Sequence, residues 1–178
     1  MKPKGMTRAG RAAILLMCGF ALWGCRDTDS DAERFSIAGK LFVFNYRVAT
    51  ATYLVNLVPV GPVEGGQMAV ASFEDPAGGA PIVVRQKIWP RLAKTTIESP
   101  PLQCVEKDRP YQVTIAIEDQ GGKTVQTIET TMISSQDQAL LPDRPLVIGP
   151  GYTPNPELAG HPDGHLPGEP SCPARKAG

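Results

Sequence analysis

Between Phe35 and Ile133, apolar and β-branched residues recur in short stretches that are separated by clusters of Gly, Pro and Asp. No apolar stripe with the 3.6-residue period of a helix is present, so the pattern favours an all-β domain. The predicted strands cover residues 35–48, 51–58, 67–73, 82–89, 94–98, 111–118 and 123–133. A further short strand at 146–148 is expected to pair with the sheet.

The clearest predicted hairpin joins the last two of these seven strands. Residues 111, 113, 115 and 117 are apolar and alternate with mostly polar neighbours, which is the two-residue period of a strand with one buried face. A turn follows at 119–122, where Asp and Gly tolerate positive φ. In the return strand Val125 and Ile128 break the alternation by one place. This break indicates either a β-bulge or a strand that is apolar on both faces.

The order of features from Gln67 to Ile133 resembles the β-sandwich lipoproteins grouped with the pilotin-type chaperone of type III secretion. The features that carry the resemblance are Phe73-Glu74-Asp75, a Gly/Pro-rich loop, the strand 82–88, Pro100-Pro101, Arg109-Pro110, the alternation from Tyr111, Asp119 with Gly122, and Thr127, Thr130 and Thr131. The resemblance implies an immunoglobulin- or fibronectin-III-like antiparallel sandwich of about seven strands, with Tyr111 as a tyrosine corner or as an ordinary strand aromatic. It also implies a chaperone or binding role. The chain departs from the pattern in its longer N-terminal strands, its cysteine pair and its proline-rich tail.

The N-terminus resembles the signal peptide of bacterial lipoproteins. A basic segment precedes an apolar run over 12–23 that is too short to span a bilayer, and Leu22, Trp23, Gly24 and Cys25 match a lipobox. The resemblance implies cleavage after Gly24 and a lipid on Cys25. Arg26 at the next position favours the outer membrane, whereas Asp27 leaves the inner membrane open.

These signals divide the chain into four parts: a signal peptide (1–24), a lipidated cysteine with a polar flexible tether (25–34), the β-domain (35–148) and a tail (149–178). Residues 142–178 hold nine of the 18 prolines, so we expect the tail to be poorly ordered. Removal of the signal peptide leaves 14 basic and 18 acidic residues, a net charge of −4. This balance argues against a nucleic-acid partner.

Two cysteines remain once Cys18 is removed with the signal peptide and Cys25 carries lipid. Cys104 and Cys172 would lie in a compartment that permits disulfides, and we expect them to pair. The bridge would tie the tail to the domain. The alternative is that both are unpaired or bond to other proteins.

Catalytic and metal-binding chemistry is poorly represented in the sequence. The only histidines, His161 and His165, lie in the tail, which argues against a Ser-His or Cys-His nucleophilic site in the domain. His161, Asp163 and His165 lack an evident fourth metal ligand. The pairs Glu74-Asp75 and Glu118-Asp119 are best explained as solvated carboxylates that border turns. We therefore predict no enzymatic activity, no cofactor and no metal.

One strand face suggests a binding site. Alternation over 82–89 places Arg85, Lys87 and Trp89 on one face, with Arg91 and Lys94 following. Such a basic, aromatic face suits an acidic envelope protein, an anionic glycan or lipid headgroups. The alternative is that Trp89 turns into the core near Pro90. The predicted function is a binding or chaperone lipoprotein. The alternatives are a structural envelope lipoprotein without a discrete ligand and a glycan-binding module.

Overall fold

The computed structural model describes residues 33–168 and Cys172, and the main body of this part is two antiparallel β-sheets packed face to face. The strands are β1 (Phe35–Asn45), β2 (Thr50–Pro59), β3 (Met68–Phe73), β4 (Ile82–Lys87), β5 (Thr95–Glu98), β6 (Pro110–Glu118), β7 (Thr124–Ile133), β8 (Val147–Ile148) and β9 (Thr153–Pro154). One sheet has the order β1-β2-β5 and the other the order β4-β3-β6-β7. The predicted all-β sandwich is confirmed.

The core lies between the two sheets because alternate residues of the central strands point inward. In β6, Tyr111, Val113, Ile115 and Ile117 are buried, whereas Gln112 and Thr114 are exposed. Aromatic rings join the sheets, since the ring of Tyr53 on β2 stacks on that of Phe73 on β3 with centroids 4.9 Å apart. The inward-facing residues of the two sheets therefore form a single hydrophobic layer.

Tyr111 also forms a tyrosine corner. Its ring is fully buried, and its hydroxyl oxygen accepts the backbone N–H of Glu106 at 2.7 Å. This contact fastens the segment before β6 to the strand itself, as in other sandwiches of this type.

The break in the alternation of β7 is a β-bulge. Ile117 pairs with Gln126 and Glu118 pairs with Thr124, so Val125 is the extra residue on β7. Of the two explanations left open by the sequence, the bulge is the one found.

The register places the loops at two ends of the sandwich. Phe35 pairs with Pro59, Leu57 with Thr95, and Met68 with both Lys87 and Glu118. The start of β1 and the β2–β3, β4–β5 and β6–β7 loops therefore share one end, which we call the near end. The β1–β2 turn, the β3–β4 loop, the β5–β6 segment and the chain after β7 lie at the far end.

The proline-rich segment has more local structure than its composition predicts. The strand expected at 146–148 pairs with β9 in a separate two-stranded sheet and joins neither of the two main sheets; Val147 lies opposite Pro154. The Leu146 N–H donates to the carbonyl of Arg47 in the β1–β2 turn at 2.9 Å. A 3-10 turn follows at Pro156–Leu158. Prolines prevent longer strands in this segment, and turns and capping hydrogen bonds fix its backbone instead.

The predicted signal peptide, Cys25 and most of the tether lie outside the described residues, as do 169–171 and 173–178.

Candidate functional site

The face predicted on β4 is present at the surface of the four-stranded sheet. β4 is an edge strand whose residues alternate between half-buried and exposed, and Arg85 and Lys87 are exposed. Trp89 follows on the same side and is 51 % exposed, whereas Ile88 is buried. Trp89 therefore does not turn into the core, and Ile88 fills the interior position instead.

Lys87 and Trp89 contact each other on this face. The Lys87 Nζ lies 4.2 Å from the centroid of the indole ring. An ammonium over an aromatic face is attracted by the ring quadrupole. The contact holds the cation and the aromatic surface together as one exposed feature.

Arg85 differs from the expectation of a solvated cation. Its guanidinium forms an ion pair with the carboxylate of Glu118 on β6, two strands away. The two side chains meet across β3, where Val70 lies between Arg85 and Ala116 in the register. Arg85 therefore contributes less net charge to the face than the strand pattern alone indicates.

An apolar strip adjoins the cations and was missed from the sequence. Val83 on β4 is 60 % exposed, and Met68, Val70 and Ala116 are half-buried on the outward side of β3 and β6. Their inward neighbours Ala69 and Ala71 are fully buried, which fixes the outward direction. The sequence of β3 alternates as a strand should. Its inward residues Ala69 and Ala71 are small, so the alternation did not show that Met68 and Val70 face outward.

The face continues into the β4–β5 loop. The Leu92 N–H donates to the Trp89 carbonyl at 3.0 Å and closes a turn with Pro90 at its second position. Leu92 is 53 % exposed. Arg91 and Lys94 are also exposed and form no ion pair within the described part of the chain.

Glu74 has a structural role at the end of β3. Its carboxylate accepts from the Arg109 guanidinium at 2.6 Å and from the Gln112 backbone N–H at 3.0 Å. The same guanidinium lies 4.5 Å from the centroid of the Tyr111 ring. Glu74 thus helps to hold the tyrosine corner in place, and both of its oxygens are occupied.

The Tyr53 hydroxyl belongs to the same cluster. It donates to the Glu74 carbonyl at 3.0 Å. Burial raises the pKa of the Tyr53 phenol well above its usual range, and the neighbouring Tyr111 and Glu74 act in the same direction. The phenol therefore stays protonated and acts as a donor.

The other carboxylates considered as acid–base pairs shape turns. Asp75 accepts from the N–H groups of Ala77 and Gly79, at 3.0 and 3.2 Å. Asp119 accepts from the N–H groups of Gly121 and Lys123, at 2.8 and 2.9 Å. These contacts match the explanation that carboxylates border turns.

The two histidines are not assembled into a metal site in the described part of the chain, where no cluster of three suitable ligands occurs. The His165 Nδ1 lies 3.7 Å from an Asp143 carboxylate oxygen. Asp163 accepts the backbone N–H of His165. Both contacts order the proline-rich segment.

Cys104 and Cys172 lie at disulfide distance, with Cα atoms 5.4 Å apart. The pair borders a cleft of about 610 Å³ at the far end, which Gln103, Asp137 and Arg144 also line. The cleft lies at the far end, whereas Lys87 and Trp89 lie at the near end.

Among residues 33–168, no helix is long and apolar enough to cross a membrane. No known protein-family model matches the sequence, and no curated protein matches it either.

Proposed function

We propose that the protein is a non-catalytic lipoprotein of the bacterial envelope that binds an envelope partner through the outward face of β4. A lipid on Cys25 would hold it at the outer membrane, facing the periplasm, with the inner membrane as the alternative. The observation that carries the binding role is the exposed Trp89 ring with Lys87 over it.

A binding role explains this face better than a purely structural one. A contiguous exposed apolar patch marks an interaction site more often than isolated exposed side chains do. Here Trp89 and Val83 are more than half exposed beside the partly exposed Met68 and Val70. Aromatic residues and Met are enriched in interfaces.

The charge of the region favours an acidic partner. No acidic residue occurs between Asp75 and Glu98, a stretch that contains Arg85, Lys87, Arg91 and Lys94. Since Glu118 already pairs with Arg85, recognition of an acidic group would fall mainly to Lys87. The surrounding chain is mildly acidic, so this stretch is a local exception.

A non-catalytic role is supported by the residue types of the domain. Residues 35–148 contain no histidine, and the carboxylates at the strand ends are engaged by backbone N–H groups or arginines. The resemblance to pilotin-type lipoproteins suggests that the partner is a protein under assembly in the envelope.

Site-specific photo-crosslinking in the membrane-retained full chain tests the binding face. A crosslinker at Val83 should give a defined adduct, whereas one at Leu41 should not. Leu41 is a suitable control because it is 48 % exposed, has similar size, and lies on β1 in the other sheet. The adduct should weaken when Arg85 and Lys87 are both changed to Ser.

Equal crosslinking from both positions, or none from Val83, would contradict the proposed face. Loss of the adduct on treatment with glycan-degrading enzymes would identify a glycan instead of a protein.

A further inference from the structure

The near end of the sandwich is where the chain enters from Cys25. The structure places the start of β1, the β4–β5 loop and the β6–β7 turn together at this end. Nine residues lie between Cys25 and Phe35, so ten Cα–Cα steps connect the two. Even fully extended, they reach about 35 Å at most. A lipid on Cys25 therefore keeps this end of the domain close to the bilayer.

The near end carries large apolar groups in its loops. Trp89, Leu92 and Val60 are each more than half exposed, at 51, 53 and 52 %. Trp89 and Leu92 belong to one tight turn, so their side chains are presented from a fixed backbone. Tryptophan is enriched at the boundary between membrane and water, where its ring contacts both.

Cations surround these apolar groups. Arg91 and Lys94 flank Leu92 without an ion pair in the described part of the chain, and Lys123 is exposed in the β6–β7 turn. Of the carboxylates described at this end, Glu64 lies 3.6 Å from the Arg34 guanidinium, and Asp119 accepts N–H groups of its own turn while keeping its charge. Glu33 is exposed, and the sequence places Asp27, Asp29 and Asp31 in the tether before it. The loop itself carries no negative charge.

We infer that the β4–β5 loop rests on the anionic phospholipid surface of the membrane that holds the anchor. This inference depends on the proposed lipid on Cys25. Leu92 contacts the headgroup region with the Trp89 ring at its edge, and Arg91 and Lys94 meet phospholipid phosphates. Each cation near an anionic bilayer contributes about 1 kcal/mol, so an anchored domain with two such cations has a preferred orientation.

This orientation presents the binding face to the periplasm. The strands run between the near and far ends, so a bilayer at the near end lies across their direction. The outward face of β4 is then roughly perpendicular to the membrane plane, and Val83 and Arg85 are accessible to a neighbouring protein. Trp89 lies where the sheet face and the membrane-facing loop meet.

Fluorescence of Trp89 in the lipidated full chain tests the inference. Once the signal peptide and Trp23 are removed, Trp89 is the only tryptophan. The protein is reconstituted into vesicles of phosphatidylcholine, with or without phosphatidylglycerol, that contain brominated lipid as a quencher. Quenching should be stronger with phosphatidylglycerol. R91S/K94S should lower the equilibrium constant for the docked orientation roughly twenty-five-fold, because each cation is worth about fivefold.

The matched control is R47S/K107S, which removes two exposed cations from the far end. It should leave the quenching unchanged. Equal quenching in both kinds of vesicle, or equal effects of the two double variants, would overturn the inference. A chain that leaves both kinds of vesicle would instead contradict the lipid anchor itself. If R91S/K94S released a copurifying acidic protein without altering the quenching, the loop would be a protein interface and the inference would be wrong.

Discussion

The ammonium of Lys87, the last residue of the edge strand β4, lies 4.2 Å from the centroid of the Trp89 ring, and both side chains are exposed. The core position beside them is filled by Ile88, whose side chain is almost completely buried. The hydrophobic core is thus filled without the indole ring of Trp89. A large aromatic group that the fold does not use is available for binding.

Trp89→Ala should accordingly cost little stability. We expect the free energy of unfolding to fall by less than about 1 kcal/mol, because half of the ring is already in water and the cation–π contact is solvent-exposed. Urea denaturation measures the change. Phe73→Ala is the control, since an emptied aromatic core site typically costs about 3–5 kcal/mol. A loss in that range for Trp89→Ala would mean that the ring is structural.

Tyr111→Phe tests the tyrosine corner. The ring should stay in place, whereas the Glu106 N–H loses its acceptor. We expect a loss of about 1 kcal/mol in the free energy of unfolding, which is typical of one hydrogen bond. Tyr152→Phe serves as the control because Tyr152 is 63 % exposed. Equal effects of the two substitutions would show that the corner contributes nothing.

Gln67→Met should stabilise the protein. Gln67 is completely buried immediately before β3, and neither side-chain amide atom has a hydrogen-bond partner. Such a group costs about 1–3 kcal/mol, and an apolar side chain of similar volume removes that cost. The thermal midpoint should therefore rise, while Gln112→Met on the exposed face of β6 should leave it nearly unchanged. A lower midpoint for Gln67→Met would show that the amide is satisfied in solution.

Removal of the disulfide by Cys104→Ser with Cys172→Ser should destabilise the domain. The two cysteines are 68 residues apart. For such a loop the chain-entropy model gives about 4 kcal/mol, less any strain in the native bridge. Denaturation of the oxidised protein, the reduced protein and the double variant measures the effect. Two alkylatable thiols in the protein as isolated from the envelope would contradict the pairing.

Most strands could be predicted because their signals are local. The predicted strand at 111–118 differs from β6 by one residue. The break in alternation at Val125 was visible in the sequence, but it fitted a strand that is apolar on both faces as well as the bulge that is found. The order in the proline-rich segment was missed. It depends on distant contacts, such as the Leu146 N–H on the Arg47 carbonyl, that composition does not reveal.

The face on β4 was predictable only in part. Strand alternation placed Lys87 and Trp89 correctly, since it needs no knowledge of other strands. The pairing of Arg85 with Glu118 depends on which strands are neighbours in the sheet, and one strand's pattern does not contain that information. The same holds for the apolar strip that Met68 and Val70 add from β3.

The intact mass of the membrane-extracted chain tests the lipid anchor, on which the proposed envelope location and the membrane contact of the β4–β5 loop depend. The natural protein should have the mass of residues 25–178 plus the lipid attached to Cys25. Cys25→Ser should leave the chain unlipidated and uncleaved after Gly24, because the modified thiol is absent. A Cys25→Ser protein that still loses residues 1–24 and still fractionates with membranes would contradict the account.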